Sequence, residues 1–174
     1  MPKHKHVINQ EELDWIRSAK NGRFGVDRKQ LGSAARGKEL GCSLIKLAPG
    51  KRAWPFHYHY GNEEAIYILE GSASLRLGGA TVAVGTGDYI AMPAGPEGGH
   101  QLYNDSQKDV TYLCISTMKA PDVVAYPDSG KIGAIAGSAP GGSPEQRLLT
   151  EFFRAEDAVD YWQGEDESRD DPGR

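Results

Sequence analysis

Between Cys42 and Met118 the chain alternates apolar and polar positions in short runs, each closed by a glycine or proline. Such alternation is typical of half-buried β-strands. The pattern predicts seven strands, which span 42–48, 65–70, 73–77, 81–84, 88–92, 100–104 and 110–118. Because no helical segment separates them, a parallel sheet with crossover helices is excluded. The spacing instead predicts an all-β domain, either a β-sandwich or a jelly-roll barrel.

The segment that precedes these strands has a helical period. Asn9 and Glu12 form an Asn-x-x-Glu pattern related to the capping box. Apolar residues then recur at helical spacing from Leu13 to Ala19. We therefore expect one short N-terminal helix, followed by a polar, glycine-dotted loop over 22–39.

The segment after Met118 is rich in prolines and small residues. It predicts an irregular C-terminal extension that wraps the domain, with one or two amphipathic helical turns over 156–162. The expected organisation is an N-terminal helix and loop (1–40), a β-barrel (41–120), the wrapping extension (121–163) and an acidic, disordered tail (164–174).

Composition narrows the class of protein. Hydrophobic residues make up 39% and charged residues 25% of the chain, which excludes wholesale disorder. The net charge of -4 argues against nucleic-acid binding through a basic surface. No apolar run is long enough for a membrane span or a signal peptide, so we expect a cytoplasmic protein with no membrane partner. Cys42 and Cys114 could form one disulfide, but buried free thiols fit that compartment better.

The histidines concentrate the candidate chemistry. His57 and His59 stand at i and i+2, so on a strand both imidazoles share one face and can bridge one metal ion. Glu64 follows a short turn and can add a carboxylate oxygen to the same ion. Taken alone, the His-x-His motif fits a solvated strand face equally well.

The surrounding residues resemble the cupin superfamily. The segment 50–71, GKRAWPFHYHYGNEEAIYILEG, is similar to the first cupin motif: His-x-His, four residues, Glu, six residues, Gly. The segment 87–104, GDYIAMPAGPEGGHQLYN, is similar to the second motif, with four residues instead of two between Gly95 and His100. The stretches STMKAPDVVAYPDSGKIG and AVDYWQGE also resemble bacterial single-domain cupins, some of which are labelled sugar phosphate isomerases.

This resemblance implies a fold and a site. The implied fold is the cupin double-stranded β-helix, a jelly-roll barrel, and the implied ligands of one divalent metal ion are His57, His59, Glu64 and His100. Zinc, manganese, iron and nickel all suit this ligand set. The implied function is an enzyme that acts on a small polar metabolite, isomerase-like or oxygenase-like.

Two alternatives remain open: a non-catalytic cupin that binds or senses a small molecule, and a structural barrel that has lost its metal. No DNA-binding helix-turn-helix accompanies the domain, which disfavours a regulator.

Other residues are secondary candidates. Glu97, in the inserted loop before His100, is a candidate general acid or base. The cations that could hold a phosphate or carboxylate are Lys51, Arg52, Arg76 and Lys131, although solvated surface charge is the simpler interpretation. Period two places Ile66, Ile68 and Leu102 in an apolar cavity wall. Apolar residues on the outside of the barrel, Tyr67, Leu69 and Tyr103, favour a homodimer.

Overall fold

A computed structural model of the chain describes residues 3–165. Strands dominate this part of the chain, and its α-helix, α1 (Leu31–Ala34), is only four residues long. The strands are β1 (Ile16–Lys20), β2 (Phe24–Gln30), β3 (Leu40–Leu47), β4 (Tyr58–His59), β5 (Glu64–Glu70), β6 (Ser72–Leu77), β7 (Ala80–Gly85), β8 (Tyr89–Met92), β9 (His100–Tyr103), β10 (Val110–Thr117), β11 (Asp122–Tyr126), β12 (Lys131–Ala136) and β13 (Leu149–Arg154). Single 3-10 turns cover Gln10–Glu12, Pro96–Gly98, Pro127–Ser129, Pro144–Gln146 and Ala155–Asp157.

The strands form three antiparallel sheets. The largest has the order β1-β2-β3-β10-β5-β8, the second the order β13-β12-β11-β4, and the third the order β7-β6-β9. All seven strands predicted between Cys42 and Met118 are present, with bounds that differ by at most two residues. The predicted all-β fold class is therefore confirmed. Within residues 3–165 the sheets pack as a β-sandwich and do not close into one continuous hydrogen-bonded barrel.

The hydrophobic core lies between the largest sheet and the three-stranded sheet. Ile45, Ile68 and Tyr112 contribute from the first, while Leu75 and Leu102 contribute from the second, and each is at most 2% exposed. The alternation read from the sequence produces this packing, because every second side chain of a strand points to the same face. On β5 the inward residues include Ile66 and Ile68, as predicted.

The prediction of an N-terminal helix is wrong. The capping pattern is real, since the Asn9 side chain accepts from the Glu11 amide and the Glu12 carboxylate accepts from the Asn9 amide. It caps only the 3-10 turn Gln10–Glu12, and the chain then pairs as β1 and β2. Strand pairing along an existing sheet edge outweighs the weak helical period, and the expected loop 22–39 contains β2 and α1.

The C-terminal extension is also more regular than predicted. It forms the antiparallel strands β11, β12 and β13, and β11 pairs with β4, where Val124 lies opposite His59. The helical turns expected over 156–162 reduce to the 3-10 turn Ala155–Asp157, and Val159 and Trp162 are exposed. The predicted acidic tail, apart from its first two residues, lies outside the described residues. Among the helices of residues 3–165, none is long and apolar enough to cross a membrane.

Candidate metal centre

Backbone pairing brings the two sequence motifs together. His57 and His100 form an antiparallel β-bridge, in which His57 N lies 3.2 Å from His100 O and His100 N lies 2.9 Å from His57 O. His59 lies two residues further on, in β4, and Glu64 opens β5. The imidazole centroids of His57 and His59 are 5.2 Å apart, and those of His57 and His100 are 4.5 Å apart. The four residues singled out from the sequence therefore lie close together in space.

Each of the three imidazoles is held by its Nδ1 atom. His57 Nδ1 lies 2.8 Å from the Pro55 carbonyl oxygen, and His100 Nδ1 lies 2.9 Å from the Gly98 carbonyl oxygen. His59 Nδ1 lies 2.6 Å from Asp122 Oδ2. These partners are acceptors, so each Nδ1 carries the proton and donates it. In a neutral imidazole the opposite nitrogen, Nε2, then presents a lone pair.

The Nε2 atoms of His59 and His100 both lie close to one carboxylate oxygen. Glu64 Oε2 lies 3.5 Å from His59 Nε2 and 3.2 Å from His100 Nε2. Ligand atoms of His57, His59 and Glu64 all lie within 4.8 Å of one another. Two ligands that each lie about 2.1 Å from one ion are at most about 4.2 Å apart. An inward shift of a few tenths of an ångström would therefore let His57, His59 and Glu64 hold an ion.

Electrostatics favours a cation at this point. Burial lowers the pKa of His57 to about 3, with a further contribution from His100, so His57 is neutral at pH 7. Burial raises the pKa of Glu64, but the hydrogen bond to His100 and the charges of the histidines outweigh it and lower that pKa to about 2. The hydrogen bond to Glu64 requires a proton on His100 Nε2. Without that proton the ionised carboxylate and the Nε2 lone pair repel one another, and a metal ion between them would take the place of the proton. The donor set therefore fits a divalent cation.

Asp122 is a part of the centre that the sequence patterns missed. Its carboxylate accepts from His59 Nδ1 and, at 2.9 Å, from the Gly61 amide, and its side chain is 0% exposed. Burial raises the pKa of Asp122, but the hydrogen bonds from His59 and Asn62 outweigh it, so the net direction is downward. The same partnership raises the pKa of His59 against the opposing effect of burial. Asp122 therefore orients His59 and increases the basicity of its Nε2.

Replacing Asp122 with asparagine is expected to weaken metal binding by about 10- to 100-fold, since loss of a carboxylate behind a histidine ligand has effects of this size. Competition with a chromophoric chelator measures the affinity. Asp128→Asn is the matched control, because Asp128 pairs with Arg76 on the exposed surface. Equal affinities of the Asp122→Asn and Asp128→Asn proteins would contradict the positioning role.

The four residues between Gly95 and His100 form a turn that positions the His100 side chain. The inserted residues form the 3-10 turn Pro96–Gly98, whose last carbonyl accepts from His100 Nδ1. Gly95 begins this turn with a φ of 96°, and its amide donates to the His59 carbonyl at 2.7 Å. The turn therefore connects the backbone of His59 to the side chain of His100.

A cavity of about 1060 Å³ contains the centre. Ile66 and Leu102 line it, as the strand alternation predicted, but Ile68 does not and lies in the hydrophobic core instead. Tyr112, on β10, also lines the cavity and is 0% exposed. Within residues 3–165 the Tyr112 hydroxyl has no hydrogen-bond partner, and burial raises its pKa well above the usual range. The cavity is large enough for a small metabolite.

Replacing Tyr112 with phenylalanine is expected to leave the free energy of unfolding unchanged or to raise it by about 1 kcal/mol, because a buried hydroxyl without a partner is costly. Urea denaturation measures the change, with Tyr161→Phe as control, since Tyr161 is 83% exposed. A loss of stability in Tyr112→Phe alone would show that the hydroxyl has a stabilising partner.

The secondary candidates lie elsewhere. Glu97 is exposed in the turn before His100 and does not line the cavity. The cations proposed from the sequence make local contacts instead: Lys51 bonds the Gly22 carbonyl, Arg52 stacks over Tyr103, Arg76 pairs with Asp128, and Lys131 lies over Tyr126. In the described chain the cations that line the cavity are Arg28, Lys38 and Arg147.

Fold and site together define a class: a β-sandwich protein with a buried cluster of three histidines and one glutamate suited to a metal ion. Residues 43–116 match the family model of the cupin domain. The match covers most of the strands that carry the two motifs and agrees with the resemblance found in the sequence.

Solved structures with the same fold include two proteins that carry the name sugar phosphate isomerase. One is from Acidithiobacillus ferrooxidans, where the assignment as an isomerase is provisional. It matches with a TM-score of 0.75 and 24% identity, and the match covers 89% of this chain and 96% of that chain. The other is from Silicibacter pomeroyi, with a TM-score of 0.72, 23% identity and coverage of 87% and 94%. At this identity the likeness establishes the fold alone.

Among curated proteins, the chain is similar to a quercetin 2,3-dioxygenase from Bacillus subtilis, with 28% identity over 111 residues. The matched part is 62% of this chain but 33% of the dioxygenase, so the chain spans about a third of the length of that relative.

Proposed function

We propose that the protein is a metal-dependent enzyme that acts on a small polar metabolite. Its divalent ion is held by His57, His59, Glu64 and His100. The observation that carries the proposal is the convergence of acceptor atoms inside a cavity of metabolite size: each Nδ1 is committed to a fixed partner, and Nε2 atoms contact the Glu64 carboxylate. A divalent ion bound there supplies Lewis-acid chemistry, and iron adds chemistry with dioxygen.

The residues of the chain prepare the site for this role. Pro55, Asp122 and Gly98 fix the three imidazoles, which reduces the reorganisation needed when a ligand binds. Apolar residues such as Ile66 and Leu102 exclude water from the inner wall, which strengthens electrostatic contacts within the cavity. A site closed by four protein ligands with no adjoining cavity would suit a structural metal instead.

Two reaction types are candidates, and the native metal distinguishes them. Similarity to a quercetin 2,3-dioxygenase supports oxygen chemistry, whereas the names of the two structural neighbours suggest isomerisation of a sugar phosphate. Metal analysis of the purified protein is the first experiment: iron favours the oxygenase, while zinc or manganese favours the isomerase.

Turnover assays of the metal-loaded protein complete the test. Oxygen uptake with flavonols and keto acids, and isomer ratios with sugar phosphates, are measured for the wild type and for His57→Ala. Metal-dependent turnover that His57→Ala lacks supports the enzyme. Binding of these compounds without turnover would instead favour the alternative, a non-catalytic binding or sensing protein.

A homodimer is our proposal for the assembly. Tyr67 and Leu69 are 39% and 40% exposed on the outer face of β5, and Tyr67 pairs across the sheet with the 64% exposed Tyr89. Burial of this apolar patch against a second copy would remove it from water. Light scattering is expected to give the dimer mass for the wild type and for Val82→Asp, but a monomer for Leu69→Asp. A monomeric wild type at micromolar concentration would contradict the proposal.

A cytoplasmic location is also proposed. Cys42 and Cys114 are both free in the structure, which fits a reducing compartment.

A further inference from the structure

The charges that line the cavity do not balance. Arg28, Lys38 and Arg147 are cationic, whereas the lining carboxylates are Glu64 and Glu145. Glu64 contacts the histidines, and Glu145 accepts a hydrogen bond from a neighbouring serine. Among the ion pairs formed within residues 3–165, none includes any of the three cations. The cavity therefore carries positive charge that protein carboxylates leave uncompensated, and a divalent ion would increase it.

Arg147 is the most constrained of these cations. It is half-buried, and its Nη2 donates to the Pro140 carbonyl. Its Nε is shielded from water and has no hydrogen-bond partner in the described part of the chain. A buried charged donor without a partner is costly, and an anion near the guanidinium would offset part of that cost.

The backbone around Arg147 holds the side chain in place. The connection between β12 and β13 folds against the cavity, and its Ser138 and Ala139 are buried. The Arg147 amide donates to the Pro144 carbonyl at 3.2 Å, and the Leu148 amide donates to the Ala136 carbonyl at 2.9 Å. A guanidinium on such a fixed segment loses less conformational entropy when it binds a ligand than one on a free loop does.

We propose that Arg147 binds the anionic group, a phosphate or a carboxylate, of the molecule that occupies this cavity. A guanidinium forms paired hydrogen bonds with both groups, and Arg147 lines the cavity. Arg28 and Lys38 add to the favourable potential. The anion subsite itself does not depend on the function proposed above. That function is needed only to place the rest of the substrate, which would lie at the metal centre. The substrate is accordingly a small organic anion.

Anion binding to chelator-treated, metal-free protein tests this subsite by itself. Inorganic phosphate and malonate are titrated at constant ionic strength, and the thermal unfolding shift gives an apparent Kd for each; the tighter anion identifies the preferred group. Arg147→Gln is expected to raise that Kd roughly tenfold or more, as loss of a charged hydrogen bond does. Arg147→Lys, which keeps the charge but lacks the planar fork, is expected to lie in between.

Arg154→Gln is the matched control, because Arg154 lies on the exposed strand β13 and pairs with Glu156. It is expected to bind the anions as the wild type does. Each shift is measured against the same variant without anion, so a change in basal stability does not obscure the result. The subsite is refuted if neither anion stabilises the wild type, or if Arg147→Gln and Arg147→Lys bind both anions with wild-type affinity.

Failure of this inference is distinguishable from failure of the proposed metal site. His57→Ala is expected to bind the anions normally. A wild type that binds anions through Arg147 but holds no metal after reloading would refute the metal site alone. A protein that holds metal, but whose anion binding ignores Arg147, would refute the subsite alone.

Discussion

The His57→Ala protein is expected to hold essentially no divalent metal under conditions in which the wild type holds about one ion per chain, because removing one of four ligands opens a centre of this type. The cost to the fold is expected to be small. His57 Nδ1 donates to the neutral Pro55 carbonyl, so no buried charge loses its partner. The measurement is elemental analysis after metal reloading and dialysis, alongside thermal unfolding of the metal-free proteins.

His59→Ala is expected to lose the metal as well, and to destabilise the fold for a separate reason. It leaves the fully buried Asp122 carboxylate without the imidazole that donates to it. Removing one partner of a buried charged pair costs about 3–5 kcal/mol. The double variant His59→Ala/Asp122→Ala removes both partners, so it is expected to recover part of this stability but none of the metal.

His4→Ala is the control for both variants, since His4 is exposed near the N-terminus. It should retain the full metal content. A wild type that stays substoichiometric after reloading would contradict the metal site, as would a His57→Ala protein that still holds one ion per chain.

The sequence was informative about the site where chemistry follows strand periodicity. His57 and His59 share a face because they stand two residues apart on an extended segment. Ile66 and Ile68 point inward for the same reason, Ile66 to the cavity and Ile68 to the hydrophobic core. Local alternation also gave the seven central strands to within two residues. The prediction of an N-terminal helix was wrong because the helical period of the apolar residues was weak. The edge of the sheet was open, and β1 pairs there instead.

The remaining parts of the site depend on long-range pairing that local patterns do not encode. Asp122 reaches His59 only because β11 pairs with β4, across 63 positions of sequence. Tyr112 is one of several apolar or aromatic residues on β10, and nothing in its spacing marks it as a cavity residue. Arg147 lies in the segment predicted to be an irregular extension, 121–163. A cation or carboxylate that acts through tertiary contacts has no periodicity to reveal it.

Gly98 and Gly99 are glycines because neighbouring atoms of the folded chain leave no room for a side chain at either position. A Cβ atom at Gly98 would lie 1.8 Å from the Pro93 carbonyl oxygen and 2.9 Å from its carbon, both backbone atoms that cannot rotate away. Any side chain there must displace either the turn Pro96–Gly98 or the end of β8. Because the Gly98 carbonyl accepts from His100 Nδ1, the displacement would reach the metal centre.

Gly98→Ala is therefore expected to reduce both stability and metal affinity. Overpacking of this kind costs about 1–3 kcal/mol and sometimes more. For a chain of this size, that corresponds to a fall in Tm of roughly 2–12 °C. The metal-bound protein is expected to show a clearly raised Kd, because His100 is moved relative to Glu64.

Gly79→Ala is the matched control in the β6–β7 hairpin. Its added Cβ meets no heavy atom within 4 Å, and its φ lies outside the left-handed region. Differential scanning fluorimetry and chelator competition on both variants separate the two glycines. If Gly98→Ala matches Gly79→Ala in Tm and in metal affinity, the turn Pro96–Gly98 does not position His100. If it loses stability but keeps its metal affinity, the backbone relaxes without moving the imidazole. Loss of both is what the fixed contact between Gly98 and His100 requires.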